Sequence, residues 1–192
     1  DGLLKSLDIK VKLEKRIVTI NTEAYEYYLK GNYKFEKRKN LEDMEIARGL
    51  LQKAIELDDN LLIAKNVLAI TYYVTGDYDK AMEIYLENLK KAEEIGDKDI
   101  QGRSLHNIGV VHFDKGDYEK AQGYLEKSLS IKEEIGVGAD DLIETTPFVF
   151  RAYKLLGKDY DEKEIHRLIK DDLMDGEFEL NYRLYELLED TS

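Results

Sequence analysis

The side chains best suited to chemistry in this chain are its three histidines, His106, His112 and His166, with no cysteine to join them. A helical metal pair needs ligands three or four residues apart, on one face. His106 and His112 are six apart and do not share one, so no metal site is expected. The run DKGD at Asp114–Asp117 has acidic residues near a glycine, yet it lacks the spaced oxygens and distant glutamate of a calcium loop. Catalysis asks for a nucleophile or an acid–base pair held together, and no recognisable spacing supplies either. No Gly-rich phosphate loop is present, because each Gly-Asp-Tyr has another use. The expectation is a protein that is not an enzyme, with no catalytic residue, metal or cofactor.

That other use lies in the element that repeats. GDYDKA at Gly76–Ala81 returns as GDYEKA at Gly116–Ala121, which reads as one helix-turn-helix unit laid down twice. Gly76 and Gly116 can adopt the left-handed conformation that ends a helix, and Asp77 and Asp117 can cap the next. Tyr78 and Tyr118 can wedge between the two helices. Ala81 and Ala121 are small enough for close helix approach.

Composition agrees with an all-helical chain. Among 192 residues there is one proline, 43% are hydrophobic and 36% charged. The net charge is −12, unevenly placed: ten basic against six acidic residues in 1–40, and nineteen against thirty-five beyond. An acidic body repels nucleic acid and anionic lipid and steers a basic partner inward. The fourteen tyrosines lack the basic groove that a base-stacking surface requires. The amphipathic helices are Glu/Asp-rich rather than Lys/Arg-rich on their polar faces, which argues against membrane binding. With no cysteine, no signal peptide and no apolar run long enough to span a bilayer, a cytoplasmic location is expected. The chain starts at Asp1 rather than methionine, and we read it as a piece of something longer.

In order along the chain, residues 1–21 read as a connector or the end of an upstream domain. A first helix pair covers 22–58, its helices running from Thr22 to about Phe35 and from about Met44 to Leu57, with a charged loop EKRKNLED between them. A second pair covers 61–96, with helices at about Leu61–Thr75 and Tyr78–Ile95. A third covers 99–136, with helices at about Asp99–Lys115 and Tyr118–Ile135. The step from Ala47 to Ala81 is 34 residues, and the next is 40 because the second helix ends in EEIG, a form that recurs at Glu133–Gly136. A degenerate fourth unit covers 140–174. Its first helix begins at a cap on Thr145 or Thr146, or Pro147 kinks a longer helix that starts near Asp141. A closing helix at 177–190 covers the end of the stack, or begins a further unit.

These residues resemble the tetratricopeptide repeat family, most clearly LHNIGVVHFDKGDYEKAQGYLEKSLSI at Leu105–Ile131. In that pattern Ile108 and Gly109 are the Leu-Gly of the first helix, Gly116–Tyr118 the turn, and Ala121 the contact alanine. Leu125, Ser128 and Leu129 form the inner face of the second helix. Ala69 replaces the glycine in the second unit, and Asn88 and Ser128 replace the last small alanine. The longer EEIG form resembles repeats of bacterial signalling proteins and of cell-polarity scaffolds. More narrowly, TEAYEYYLKGNYKF at Thr22–Phe35 resembles the start of the repeat tail in bacterial adenylate/guanylate cyclases and some Ser/Thr kinases.

The resemblance implies an α-solenoid of antiparallel helix pairs, wound as a right-handed superhelix, that acts as a protein-interaction scaffold. It implies a concave groove lined by Tyr28, Asn32, Phe35, Asn66, Ile70, Tyr73, Arg103, His106, Asn107, Val110, Phe113 and Arg151. Rings there supply buried area, amides meet a peptide backbone, and Arg103 with Arg151 meets a carboxylate. His112 falls where the family packs an aromatic residue, so a semi-buried histidine is expected. A lysine-based clamp on a C-terminal carboxylate is not, because Tyr28 stands at that lysine's place. The partner is expected to be a protein or peptide, with a basic one favoured by the acidic body. The alternative function is a regulatory or docking tail of a cyclase or kinase, with self-association through the terminal helices.

Overall fold

The computed structural model describes residues 21–136 and 144–159. Within them lie seven helices: α1 (Thr22–Glu36), α2 (Leu41–Leu57), α3 (Leu62–Tyr73), α4 (Tyr78–Ile95), α5 (Lys98–Asp114), α6 (Tyr118–Ile135) and α7 (Thr146–Leu155). No strand occurs among the described residues. This is the all-α, helical-repeat class expected of an α-solenoid. The chain divides into two compact units, residues 1–64 and 65–192.

In the first unit, α1 and α2 form an antiparallel pair. Asn21 fixes the pair at one end. Its Oδ1 accepts from the backbone N–H groups of Glu23 and Ala24, and its Nδ2 donates to the Leu57 carbonyl at 3.1 Å. One side chain therefore caps the start of α1 and ties it to the end of α2. In the middle, Gly31 allows close contact, since a Cβ there would stand 2.8 Å from Leu51 Cγ. At the other end α2 begins at Leu41, three residues before the expected Met44. Asn40 Oδ1 accepts from Asp43 N–H while Asp43 Oδ2 accepts from Lys39 N–H, which closes the first turn early. Lys34 Nζ lies 2.6 Å from Asp43 Oδ1. That bond first, and the Lys39 N–H next, hold the Asp43 carboxyl below its ordinary range.

The second unit is ordered by recurring Gly-Asp corners. Gly76 (φ +82°), Gly96 (φ +74°) and Gly116 (φ +80°) all take the left-handed conformation. At each corner the following Asp N–H reaches back to a carbonyl of the finished helix: Asp77 to Tyr72, Asp97 to Ala92, Asp117 to His112, at 2.9–3.0 Å. Asp77 then caps α4 by accepting from Lys80 N–H, and Asp97 caps α5 by accepting from Ile100 N–H. Asp117 makes no such side-chain cap for α6, contrary to expectation. Its carboxylate instead faces His112 Nδ1 at 3.3 Å and Lys120 at 3.4 Å, and these hold it below its ordinary range, His112 chiefly.

α5 packs against α4 and α6, and α6 against α7. Ala81 and Ala121 have no exposed surface, as close approach requires. A Cβ on Gly109 would lie 2.6 Å from Leu125 Cγ, so α5 and α6 touch nearly backbone to side chain there. Two polar bonds finish the interior: Gln101 Nε2 donates to the Ala92 carbonyl at 3.0 Å, and Ser128 Oγ to the Gly102 carbonyl at 2.7 Å. α7 starts at Thr146 with Pro147 in its first turn, where a missing N–H costs nothing. The expected connector, the second helix of the fourth unit and the closing helix lie outside the described residues.

Candidate functional site

Three of the twelve expected groove residues belong to the first unit. Tyr28 is buried, with its ring 5.4 Å from that of Tyr25. Asn32 Nδ2 donates to Glu36 on its own helix, and Phe35 carries Arg38 over its ring at 4.2 Å.

The other nine belong to the second unit, on α3, α5 and α7. Asn107 Nδ2 donates to Asn66 Oδ1 at 2.9 Å, a bond across 41 residues of chain. Tyr73 OH donates to Asp114 Oδ2 at 2.6 Å, also 41 residues apart. These two rungs place equivalent turns of α3 and α5 side by side. An amide offers two donor hydrogens and an acceptor, so the first rung leaves the half-buried Asn107 its Oδ1 and its second Nδ2 hydrogen, while Asn66 behind it is buried. Ile70 is half-buried.

Farther along, Val110 and Phe113 join Ala121, Leu125, Val149 and Ala152 in one apolar cluster, with Tyr73, Tyr118 and Phe148 packed against it. Phe113 meets Tyr118 at 5.3 Å and Phe148 at 5.6 Å between ring centroids, both edge-on, as ring quadrupoles prefer. Val110 and Phe113 are 7% exposed, so they act chiefly as floor. Arg151 is exposed, with its guanidinium 4.9 Å from the Phe113 centroid. Arg103 is exposed too, but its Nε already donates to both carboxylate oxygens of Asp99 at 3.0–3.1 Å.

His106 is half-buried, its ring edge-on to Phe148 at 5.8 Å. Its Nδ1 lies 2.9 Å from Thr145 Oγ1, which also accepts from the buried Lys132 Nζ at 3.1 Å. Burial, and then the Lys132 charge, push the His106 imidazole down to about 3. It is a neutral packing residue rather than a cation in the site. His112 is likewise half-buried and stacks on Tyr124, with centroids 5.5 Å apart and planes 4° from parallel. Thr145 and Lys132 were missed by the sequence reading, as were Asp99 and Asp114. Only the 41-residue spacing of Tyr73 and Asp114 offered a signal, and it repeats the spacing of the asparagines.

No group of three His, Cys, Asp or Glu suited to a metal occurs among the described residues. No helix there is long and apolar enough to cross a membrane.

Capped helix pairs, small residues at the crossings and polar rungs between equivalent turns define a helical repeat protein. Residues 60–134 match the tetratricopeptide repeat family, and that stretch is built of tetratricopeptide repeats. Among solved structures, the chain is similar to aspartyl phosphate phosphatase F from Bacillus subtilis, with a TM-score of 0.72 and 18% identity, over 86% of this chain and 44% of that one. It is similar to BtubC (BKLC) from P. vanneervenii, with a TM-score of 0.60 and 16% identity, over 92% and 82%. It is also similar to a signal transduction ATPase with numerous domains (STAND) carrying a tetratricopeptide repeat sensor, from Pyrococcus horikoshii, with a TM-score of 0.63 and 20% identity, over 95% and 33%. The chain thus spans less than half of the phosphatase and a third of the STAND protein. No curated protein matches it by sequence.

Proposed function

We propose that this chain is a non-enzymatic protein-interaction module and that the α3–α5–α7 face of its second unit receives an extended peptide. The Asn66–Asn107 rung carries the proposal. It is fixed by its own hydrogen bond and keeps one acceptor and one donor for a peptide unit. Meeting a backbone amide on both sides is what an extended segment needs when it leaves water. Phe113 and Tyr73 provide ring surface beside it. The −12 charge of the chain steers partners of net positive charge, an effect that salt weakens.

The test is selection of 12-residue displayed peptides on the full chain, with affinities measured by fluorescence anisotropy. Asn107→Ala is expected to weaken the selected peptides about five- to tenfold, the value of one or two lost hydrogen bonds. Gln52→Ala, an exposed change on α2, serves as control. Equal binding by both variants removes this face from the account.

A second reading is a sensing or docking segment of a larger signalling protein. Its support is the likeness to the STAND protein with a tetratricopeptide repeat sensor, of which the chain covers 33%. The sequence encoded upstream of Asp1 tests it: an in-frame cyclase, kinase or ATPase domain supports this reading, and none removes it.

A further inference from the structure

We propose that the peptide is anchored by an Asp or Glu side chain bound to Arg151, an inference that rests on the peptide-binding reading above. Arg151 is exposed and lies on Phe113 at 4.9 Å. Phe113 is itself locked by edge contacts to Phe148 and Tyr118. A guanidinium stacked on a fixed ring has already lost much of its freedom, so less is lost when its planar fork meets a carboxylate.

Among the described residues no carboxylate pairs with Arg151, although the chain has 41 acidic against 29 basic residues. The carboxylate beside Phe113 in sequence, Asp114, is taken by the Tyr73 hydroxyl. Glu126, on the helix that α7 packs against, is taken by Tyr153 OH and Gln122 Nε2. Other cations have internal partners: Arg103 with Asp99, Lys115 with Asp79, Lys65 with Glu87. A guanidinium held on a ring, with no carboxylate partner among the described residues, is an empty half of a fork-to-fork pair.

A carboxylate fits better than a phosphate. With Arg103 held by Asp99, a dianion at Arg151 would sit in a net negative field with its second charge unmatched by that guanidinium, while a single carboxylate is matched by it. The partner is then a peptide with one acidic anchor, and its overall charge can still be positive.

The experiment extends the selection on the full chain. Enriched peptides are synthesised in acid and amide forms (Glu→Gln or Asp→Asn) and titrated against wild type, Arg151→Gln and Arg151→Lys. A shared acidic position is expected. Its amide form should bind wild type about tenfold more weakly, as loss of a charge-assisted bond implies, and Arg151→Gln less than twofold more weakly. Arg151→Lys should recover only part of the difference, because an ammonium lacks the planar fork. Peptides with no common acidic position, or an acid-to-amide loss equal on wild type and Arg151→Gln, overturn the inference. If those peptides still weaken on Asn107→Ala, the peptide-binding face stands without its acidic anchor. If they ignore both residues, or no peptide is enriched, both readings fall.

Discussion

Acidification should loosen the second unit through one imidazole. His106 Nδ1 faces the Thr145 hydroxyl at 2.9 Å, and that hydroxyl already accepts from Lys132 Nζ. The hydroxyl has one proton to give, so the consistent assignment sends it to Nδ1 and leaves the proton of the neutral ring on Nε2. Protonating Nδ1 sets a donor against a donor and a second cation beside Lys132. The imidazole is accordingly pushed down to about 3 in the folded chain, against about 6.5 when unfolded. Because the unfolded state takes the proton first, this stabilisation is complete above about pH 6.5 and is lost as pH falls toward 3. Between pH 7 and pH 5 the loss is about 2 kcal/mol, an upper figure because the ring keeps part of its surface in water. Urea unfolding of wild type and His106→Gln at pH 7, 6 and 5 isolates the effect, since carboxylates common to both cancel in the difference. Gln keeps an acceptor for Thr145 but does not titrate. The stability advantage of wild type over His106→Gln should shrink by about 2 kcal/mol across that range. The His106 ring signals in NMR should also show no titration down to pH 4. A pH-independent difference, or a ring that titrates near 6.5, refutes the reasoning.

Two further contrasts test the packing. Gly109→Ala should destabilise by about 1–3 kcal/mol through overlap with Leu125. Gly123→Ala, which meets nothing within 4 Å on the same helix pair, should stabilise by about 0.5–1 kcal/mol. Urea midpoints for both decide this, and equal signs would contradict the close approach of α5 and α6. At the corners, Asp77→Ala should cost about 1 kcal/mol as a lost cap. Asp117→Ala should cost less, since Asp117 makes no cap bond; thermal unfolding at pH 7 should rank the two in that order.

The helices were legible wherever a corner is written into the chain. Glycine tolerates the positive φ and aspartate supplies an acceptor, so Gly76-Asp77, Gly96-Asp97 and Gly116-Asp117 announced their turns. Ends without that pair drifted: α2 starts at Leu41 because Asn40 accepts from Asp43 N–H while Asp43 accepts from Lys39 N–H, and a charged run hid that arrangement. Gly31 is similar, being unreadable until Leu51 is seen against it.

The candidate site was legible to a lesser degree, for a physical reason. A repeat period tells which side of a helix a residue occupies, but not whether its polar atoms are already spent. Asn66, Arg103, His106 and Asn107 share expected inner positions and end in different states. Asn66 and Asn107 bond to each other, and Asn107 keeps capacity. Arg103 is held by Asp99 one turn back. His106 is drawn into a polar pocket by Thr145 and Lys132, which come from α6 and the start of α7. Those partners lie 4, 39 and 41 residues away, so only one of the three bonds is local enough to infer from helix geometry. Arg151 is the converse case. Its proposed role rests on having no carboxylate partner among the described residues, which becomes visible only once Asp114 and Glu126 are seen bonded to Tyr73 and Tyr153.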